Sequence, residues 1–367
     1  MRQGLLLASI VWVAGTAGCG SSQDTAQKPY PTDVASASFQ QQQVGDRATM
    51  RGDVDFVTMS TEGRLVVYAD DQTQADAAIR AALERVADIA KKLNRYDPAS
   101  ELSAINAAAG NQAVDVSDTT GRAIEAARQM WRDSRGAFNP LVGRLVALWK
   151  QASESGVEPT SESIDEARSL LDMADLECER SGTGYRVRLQ RTGMQLDLGG
   201  LAKGWAAQEA IAAARRQKGL RSILVMLGGD GTVWSEPGWA RPWTVAVQDP
   251  RDSANRAILT KIELTDGSVV TSGNYYRYFE IGGRRLSHII DPRTGRPTES
   301  MLVSATVIHP DGAAADALAT ACMVLGRDDS LALLGRTKGA EGLLLTASGD
   351  DLGRYETDGL AGYEIRR

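Results

Sequence analysis

Apolar residues recur at helical spacing in several long stretches of the chain. Within residues 76–93 the apolar positions are 79, 83, 86, 89, 90 and 93, and charged residues occupy the opposite face. This pattern predicts an amphipathic helix, which must end before Pro98. Residues 100–106 predict a short helix directly afterwards. The same spacing predicts longer helices over residues 119–135, 142–150, 163–173, 205–217 and 313–325.

Alternating or β-branched runs predict strands between these helices. Residues 54–68 predict a hairpin whose turn is at residues 61–64. Residues 277–281 and 285–290 predict a second hairpin, closed by two glycines. Further strands are predicted over residues 185–189, 194–198, 222–227, 243–248, 258–264, 269–273 and 301–309. Strands and helices therefore follow one another in mixed order.

The N-terminus, residues 1–19, is predicted to be an export signal. One arginine precedes a short apolar core that cannot span a bilayer as a stable helix. Small residues before Cys19 are similar to a lipobox, in which Cys19 is lipidated and becomes the first mature residue. Thr16 departs from the Leu that is more usual there. The alternative is a plain secretory signal cleaved near Ala17.

Residues 20–48 are rich in Ser, Gln, Thr and Ala and have no apolar periodicity. This composition cannot bury a core, so it predicts a flexible tether. The globular part, residues 49–367, would then be held off a membrane surface. We expect an exported lipoprotein, anchored through Cys19 and facing the periplasm or the cell exterior.

Composition excludes several classes of function. The formal net charge is -6 and no basic block is present, which argues against a nucleic-acid partner. Beyond the signal, the cysteines are Cys178 and Cys322. We expect a buried thiol at Cys322 and no disulfide framework. No CxxC or His-Cys cluster suggests zinc.

The stretch Leu286–Pro297, LSHIIDPRTGRP, holds one of the two histidines of the chain. His288 lies at a predicted strand end and is followed by an Asp-Pro-Arg-Thr-Gly turn. A titratable ring in such a place suits proton transfer in a surface cleft. The alternative is that Asp291 caps the turn and His288 only packs beside it.

Two glycine-rich turns follow strands about 30 residues apart and suggest a shared ligand cleft. The first, residues 199–204, precedes a helix and contains Lys203. Backbone N–H groups at a helix N-terminus can bind an anion, and Lys203 adds charge. The alternative is that this turn only makes a close packing contact between backbone segments. The second turn is residues 228–232, Gly-Gly-Asp-Gly-Thr.

Asp316 and Thr320 lie four residues apart in the apolar helix predicted over residues 313–325, so they share one face. A hard cation with water or phosphate oxygens as further ligands would fit them. Alternatively, Asp316 favours the helix dipole and Thr320 bonds back to the preceding turn.

Together, these stretches resemble the ApbE family of FAD:protein FMN transferases, over roughly residues 54–350 and in the family's order. The matching segments are Arg95–Asn106 (RYDPASELSAIN), Gly136–Pro140 (GAFNP), Leu196–Gly204 (LDLGGLAKG), Leu227–Gly231 (LGGDG), Thr271–Tyr275 (TSGNY), His288–Gly295 (HIIDPRTG) and Asp316–Thr320 (DALAT). Each segment is a weak signal, and their ordered sum is a strong one.

The resemblance implies an α+β fold, with mixed or antiparallel sheets, packed helices and a flavin site in a cleft between them. It also implies a magnesium-dependent enzyme that splits FAD at its pyrophosphate, transfers FMN to a Ser or Thr hydroxyl of a target flavoprotein, and releases AMP. By match, His288 would accept the hydroxyl proton. Magnesium would be held by the carbonyl of Gly200 together with Asp316 and Thr320. The FAD site would be lined by Met59, Tyr96 (stacked on the isoalloxazine), Ala137, Phe138, Asn139, Asp197, Lys203 and Ile290.

Two departures from the family pattern stand out. Asn139 replaces the usual Asp, and Met59-Ser60-Thr61 replaces Met-Gly-Thr. Three other functions remain open. With water as the acceptor the enzyme would be an FAD pyrophosphatase, and without chemistry it would be a flavin-binding lipoprotein. The sequence GGDGT is also a short motif of lipid and nucleotide kinases.

Overall fold

The computed structural model describes residues 37–252, 257–274, 278–348 and 351–365. The predicted signal, residues 20–36 of the predicted tether and Tyr275 lie outside these ranges. Within them, no helix combines the length and the apolar character needed to cross a bilayer.

The chain forms eighteen strands, eight α-helices and two short 3₁₀ helices in its described ranges. In chain order, the elements are β1 (Ser38–Val44), β2 (Arg47–Thr58), β3 (Thr61–Ala69), α1 (Gln72–Leu93), α2 (Glu101–Ala107), β4 (Val114–Val116), α3 (Asp118–Asp133), α4 (Gly143–Ser155), α5 (Ser161–Arg168), a 3₁₀ helix (Met173–Asp175), β5 (Leu176–Ser181), β6 (Gly184–Leu189), α6 (Ala202–Ala214), β7 (Leu220–Leu227), β8 (Asp230–Ser235), β9 (Trp243–Gln248), β10 (Ile258–Leu264), β11 (Asp266–Gly273), β12 (Tyr278–Ile281), β13 (Arg284–Ser287), β14 (Ile290–Asp291), β15 (Arg296–Pro297), β16 (Leu302–His309), α7 (Gly312–Leu325), α8 (Arg327–Arg336), β17 (Glu341–Ser348), β18 (Asp351–Glu356) and a final 3₁₀ helix (Asp358–Gly362).

Nine strands form one antiparallel sheet in the order β1-β2-β3-β7-β8-β11-β16-β17-β18. Alternate residues of the central strands enter different cores: Val67 and Val225 pack under α1, α6 and α7, while Val66 and Leu224 face the ribbon β9-β10. The sheet is therefore buried on both faces, and the predicted α+β class is confirmed.

A close contact between glycines sets the crossing of α6 and α7. A β-carbon on Gly204 would overlap the carbonyl oxygen of Gly312, and one on Gly312 would lie 2.5 Å from the carbonyl oxygen of Gly204. Larger residues would therefore push the helices apart. The contact places the first turn of α6 against the first two turns of α7, which Asp311 caps by accepting a hydrogen bond from the N–H of Ala314 at 2.9 Å.

A third apolar cluster lies apart from the main sheet and joins α4, α5 and the hairpin β12-β13. Leu145 and Trp149 of α4 pack there with Ile164, Ile281 and Ile290. This cluster carries the segment that contains His288.

The structure corrects three predictions. Residues 38–48 are not tether but strand β1 and the start of β2, paired in register from Ser38 to Val44. Residues 194–198 are not a strand, since their only β-bridge joins Gln195 to Val142. The first hairpin turns two residues earlier than predicted, at Met59 and Ser60.

Both residues of that turn have positive φ, 47° at Met59 and 58° at Ser60. This is the type I′ geometry that suits a two-residue hairpin and favours Asn-Gly or a similar pair. The glycine that the family pattern places at position 60 would adopt it without cost from a β-carbon. A left-handed conformation costs a non-glycine residue roughly 1–2 kcal/mol.

We therefore expect Ser60→Gly to raise the free energy of unfolding by about 1 kcal/mol. This corresponds to a rise in Tm of about 2 °C in a domain of this size. Denaturant unfolding and calorimetry would measure it. Ser163→Gly, within α5, is the matched control and should instead destabilise by about 0.5–1 kcal/mol. A lower stability for Ser60→Gly would show that the serine side chain contributes more than its backbone conformation costs.

Candidate active site

Asp316 is a buried carboxylate, 1% exposed, in the second turn of α7. Its Oδ2 accepts a hydrogen bond from the backbone N–H of Gly204 at 3.0 Å. The ammonium of Lys203 lies 3.2 Å from Oδ1 and 3.3 Å from Oδ2. The glycine contact between the two helices therefore brings the first turn of α6 onto this carboxylate.

Asp230 completes a buried ionic cluster and was not among the site residues that we predicted. It is the first residue of β8, directly after the Gly228-Gly229 turn, and its Oδ2 lies 3.0 Å from the Lys203 ammonium. Its Oδ1 accepts the N–H of Thr271 at 3.1 Å. The two glycine-rich turns therefore lie close together, and the ligand cleft that we expect them to share stays a prediction. The acidic residue within the second glycine-rich turn is the sequence feature that could have identified Asp230 as a site residue.

The cluster has one more negative than positive charge. Burial alone would lower the pKa of Lys203, but the carboxylates of Asp230 and Asp316 outweigh it and raise that pKa above its ordinary value. Burial raises the pKa of Asp230, an effect that Lys203 opposes. Lys203 is consequently a permanent cation, and its side chain keeps a quarter of its surface exposed, so it can meet a ligand.

The Thr320 hydroxyl and the Gly200 carbonyl are the other two oxygens of the predicted magnesium site. The Thr320 hydroxyl lies one turn after Asp316 and donates to the carbonyl of Gly200 at 3.4 Å. Neighbouring ligands of an octahedral ion with bonds of about 2.1 Å lie roughly 3 Å apart, so a small movement would let both oxygens bind one ion. A β-carbon at residue 200 would lie 3.0 Å from the Thr320 hydroxyl oxygen, and Gly200 avoids this contact.

The described residues contain no group of three or more His, Cys, Asp or Glu side chains placed to hold a metal. A single carboxylate, a hydroxyl and a carbonyl suit magnesium, which keeps water and phosphate oxygens as its other ligands. They would not suit zinc, which takes mainly histidine and cysteine. Both described cysteines are free and buried, and burial raises the pKa of each thiol to about 12.

Arg95 connects two of the predicted flavin residues. Its guanidinium pairs with Asp197 and donates to the carbonyl of Gly143 at 3.0 Å. It also lies 5.3 Å from the ring centre of Tyr96, and the Lys150 ammonium lies 4.9 Å from the same ring. Tyr96 is 63% exposed, so its ring is available for stacking.

The Asn139 side chain makes two hydrogen bonds within the protein. The Asn139 side chain donates to the carbonyl of Leu171 at 3.0 Å and accepts the N–H of Leu141 at 2.9 Å. Ala137 and Phe138 are also buried, and the Phe138 ring packs 3.2 Å from where a β-carbon on Gly200 would lie. Asn139 therefore fixes the loop whose Phe138 packs against Gly200, and its contact with FAD stays a prediction.

His288 is half-buried and lies between β13 and β14. The turn after it is fastened by Asp291, which pairs with Arg293 at 2.8 Å and accepts its backbone N–H. Asp291 therefore caps the turn, and the role of His288 as a base stays a prediction. Ile290 is buried in the third cluster, so its side chain anchors this segment to the apolar residues of α4 and α5.

Two hydrogen bonds hold the His288 segment against the rest of the site. Arg293 donates to the carbonyl of Val324 at 3.1 Å, near the end of α7. The indole N–H of Trp149 donates to the carbonyl of Gly295 at 2.8 Å. Val324 follows Asp316 by eight residues, so the segment is tied to α7 about 12 Å along its axis from the carboxylate.

Met59, another of the predicted flavin residues, lies at the tip of the β2-β3 hairpin. The N–H of Gly228 donates to the carbonyl of Glu62 at 2.7 Å, which sets that tip beside the turn leading to Asp230. The structure thus brings together Gly200, Lys203, Asp316 and Thr320, joins Tyr96 to Asp197 through Arg95, and buries Asn139 and Ile290 as supports. The chemical roles of these residues stay predictions.

Comparison with known proteins agrees with this geometry. The sequence profile of the ApbE family matches residues 59–344. The FAD:protein FMN transferase of Treponema pallidum is 36% identical over 286 residues, which cover 73% of this chain and 78% of the relative. That of Escherichia coli K12 is 32% identical over 260 residues, which cover 70% of this chain and 73% of the relative.

Solved structures are similar over the same region. The ApbE protein of Thermotoga maritima superimposes with a TM-score of 0.73 at 30% identity, covering 86% of this chain and 99% of that one. The flavin transferase ApbE of Vibrio cholerae gives a TM-score of 0.70 at 27% identity, with the same coverage.

Proposed function

The chain belongs to the ApbE family, and on this premise we propose that it is an FAD:protein FMN transferase. The observation that carries the proposal is the site at the α6-α7 crossing. The buried carboxylate of Asp316 lies there beside a permanent cation, Lys203, that is one-quarter exposed, and the Thr320 hydroxyl one turn later donates to the Gly200 carbonyl. Such a site suits a pyrophosphate and a magnesium ion, and flavin binding alone would not need its buried carboxylate and hydroxyl.

The reaction that we propose breaks one P–O bond of the FAD pyrophosphate. The hydroxyl oxygen of a Ser or Thr on the target flavoprotein attacks the phosphorus of the FMN half. The bond from that phosphorus to the bridging oxygen breaks, and AMP leaves with that oxygen. The hydroxyl proton passes to His288, the general base. Positioning and charge stabilisation supply most of the acceleration in reactions of this type.

The residues of the site divide this work. Tyr96 stacks on the isoalloxazine, and Arg95 holds Asp197 in place. Lys203 balances negative charge on the phosphates. Magnesium, held by Asp316, Thr320 and the Gly200 carbonyl, would neutralise the charge that develops as the pyrophosphate splits.

We also propose that the enzyme acts outside the cytoplasm, attached to a membrane by a lipid on Cys19. The support is the apolar N-terminal segment followed by small residues and Cys19. Residues 20–36 would be the tether. Strand β1 begins at Ser38, so the tether is shorter than its composition suggested.

The full chain, purified in mild detergent, is incubated with FAD and a candidate flavoprotein subunit, with and without magnesium. Chromatography follows FMN and AMP, and intact mass follows the subunit. We expect the subunit to gain one FMN, with one AMP released, only when magnesium is present. Changing the acceptor Ser or Thr of the subunit to Ala is the control and should abolish the gain in mass.

Two results would contradict the proposal. Free FMN and AMP in equal amounts, with or without the subunit, would make the protein an FAD pyrophosphatase. Bound and unchanged FAD under all conditions would leave a flavin-binding protein without chemistry.

A further inference from the structure

Asp230 is a carboxylate of the site that has no role in the proposed reaction. It is 3% exposed, and the backbone N–H of Thr271 fixes its Oδ1 at 3.1 Å. Its Oδ2 is also buried, and no backbone N–H of the described residues donates to it. Its neighbour is the Lys203 ammonium at 3.0 Å. Burying a charged carboxylate costs free energy unless an opposite charge compensates it, and Lys203 is the cation that does so here.

Lys203 lies between two carboxylates that have different tasks. Its ammonium is 3.0 Å from Asp230 and 3.2 Å from Asp316, so either carboxylate can hold it. Asp316 is the predicted metal ligand, and an ammonium that faces both of its oxygens uses the lone pairs that a metal needs. A lysine and a divalent cation on the same carboxylate would also repel each other.

We propose that Asp230 is the positioning residue for Lys203: it holds the ammonium when a divalent cation takes the Asp316 carboxylate. Lys203 then moves from a shared position to Asp230, and its exposed portion still faces the phosphates. The movement breaks no covalent bond and transfers no proton. This inference rests on the proposed function, since it assigns the metal to Asp316.

Asp230→Asn tests the proposal, because it removes the charge and keeps an oxygen for the N–H of Thr271. Lys203 should then stay on Asp316 and compete with the metal. We expect the dissociation constant of Mn²⁺, measured without FAD by titration and electron paramagnetic resonance, to rise about tenfold or more. The magnesium concentration that gives half-maximal FMN transfer should rise by the same factor.

The matched control is Glu209→Gln. Glu209 lies on α6 with Lys203 and pairs with Arg85 and Arg122, so the variant loses one partly buried carboxylate charge outside the cluster. Its Mn²⁺ affinity should stay within twofold of the unaltered protein. A tenfold loss there as well would show that any lost charge weakens the metal, and the positioning role would be overturned.

A double variant separates positioning from simple charge attraction. In Lys203→Met no ammonium competes, so Mn²⁺ should bind several-fold more tightly than in the unaltered protein. Adding Asp230→Asn to Lys203→Met should change that affinity by less than about twofold. If Asp230→Asn weakens Mn²⁺ equally with and without Lys203, Asp230 acts on the metal directly and the proposal is wrong.

These measurements remain informative if one variant fails or if the proposed function is wrong. If Asp230→Asn does not fold, Lys203→Met alone still decides, because unchanged or weaker Mn²⁺ binding would contradict competition by the lysine. Mn²⁺ binding needs no FAD and no acceptor. A protein that shows the expected affinities without transferring FMN would keep the role of Asp230 and lose the proposed reaction. If the unaltered protein transfers FMN and all variants bind Mn²⁺ equally, the proposed reaction stands and the role of Asp230 is wrong.

Discussion

Replacing His288 by Asn should reduce FMN transfer about 10²- to 10⁴-fold, the usual contribution of a general base, and should leave FAD binding unchanged. Asparagine has a similar size and can hydrogen-bond, but it cannot accept a proton at neutral pH. The segment should keep its shape, because its fastening depends on Asp291, Arg293 and Trp149 and does not require the imidazole. Transfer is measured by intact mass of the acceptor, and FAD binding by fluorescence titration.

The other histidine provides the control. His309 ends β16, and its Nδ1 accepts the N–H of Asp311 at 2.9 Å, before the start of α7. His309→Asn removes the same side chain outside the predicted site and should change the transfer rate by less than about threefold. Transfer by His288→Asn at the unaltered rate would remove His288 from the mechanism. Loss of FAD binding together with transfer would make it a binding residue instead.

Sequence periodicity predicted most of the core because buried apolar residues recur with the repeat of the helix or strand that contains them. The helix over residues 76–93, the strand over 222–227 and the helix over 313–325 are each apolar toward a core, and the structure contains all three with small changes of boundary. Strand β1 escaped prediction for the opposite reason. It is an edge strand with mostly exposed side chains, so backbone pairing with β2 holds it and no apolar face marks it.

Site residues that lie on one helix could be predicted from the sequence. Site residues that tertiary packing brings together could not. Asp316 and Thr320 share a helix face, so their spacing alone placed them together. Asp230 lies 86 positions before Asp316 along the chain and reaches Lys203 because the sheet sets β8 beside α6. No periodicity reports such a contact. The left-handed turn at Met59 and Ser60 was equally hidden, because neither residue type usually adopts it.

Asp316→Asn should abolish transfer even at high magnesium, with a loss of about 10³-fold or more. A metal ion typically contributes several kcal/mol of charge stabilisation, and each 1.36 kcal/mol is a factor of ten in rate. The amide oxygen can still accept the N–H of Gly204, so the local hydrogen bond survives. The cluster also becomes neutral, since Lys203 keeps Asp230 as its partner. The variant should therefore fold, which circular dichroism and thermal unfolding would verify.

Asp311→Asn is the matched control on the same helix. Asp311 caps α7 five residues before Asp316, and asparagine is an equally good capping residue. It removes one carboxylate charge and should leave transfer within about threefold of the unaltered rate. Asp316→Asn should in addition lose detectable Mn²⁺ binding, which Asp311→Asn retains. Full activity of Asp316→Asn at ordinary magnesium would place the metal elsewhere. The Lys203 cluster would then be a structural ion pair between two crossing helices.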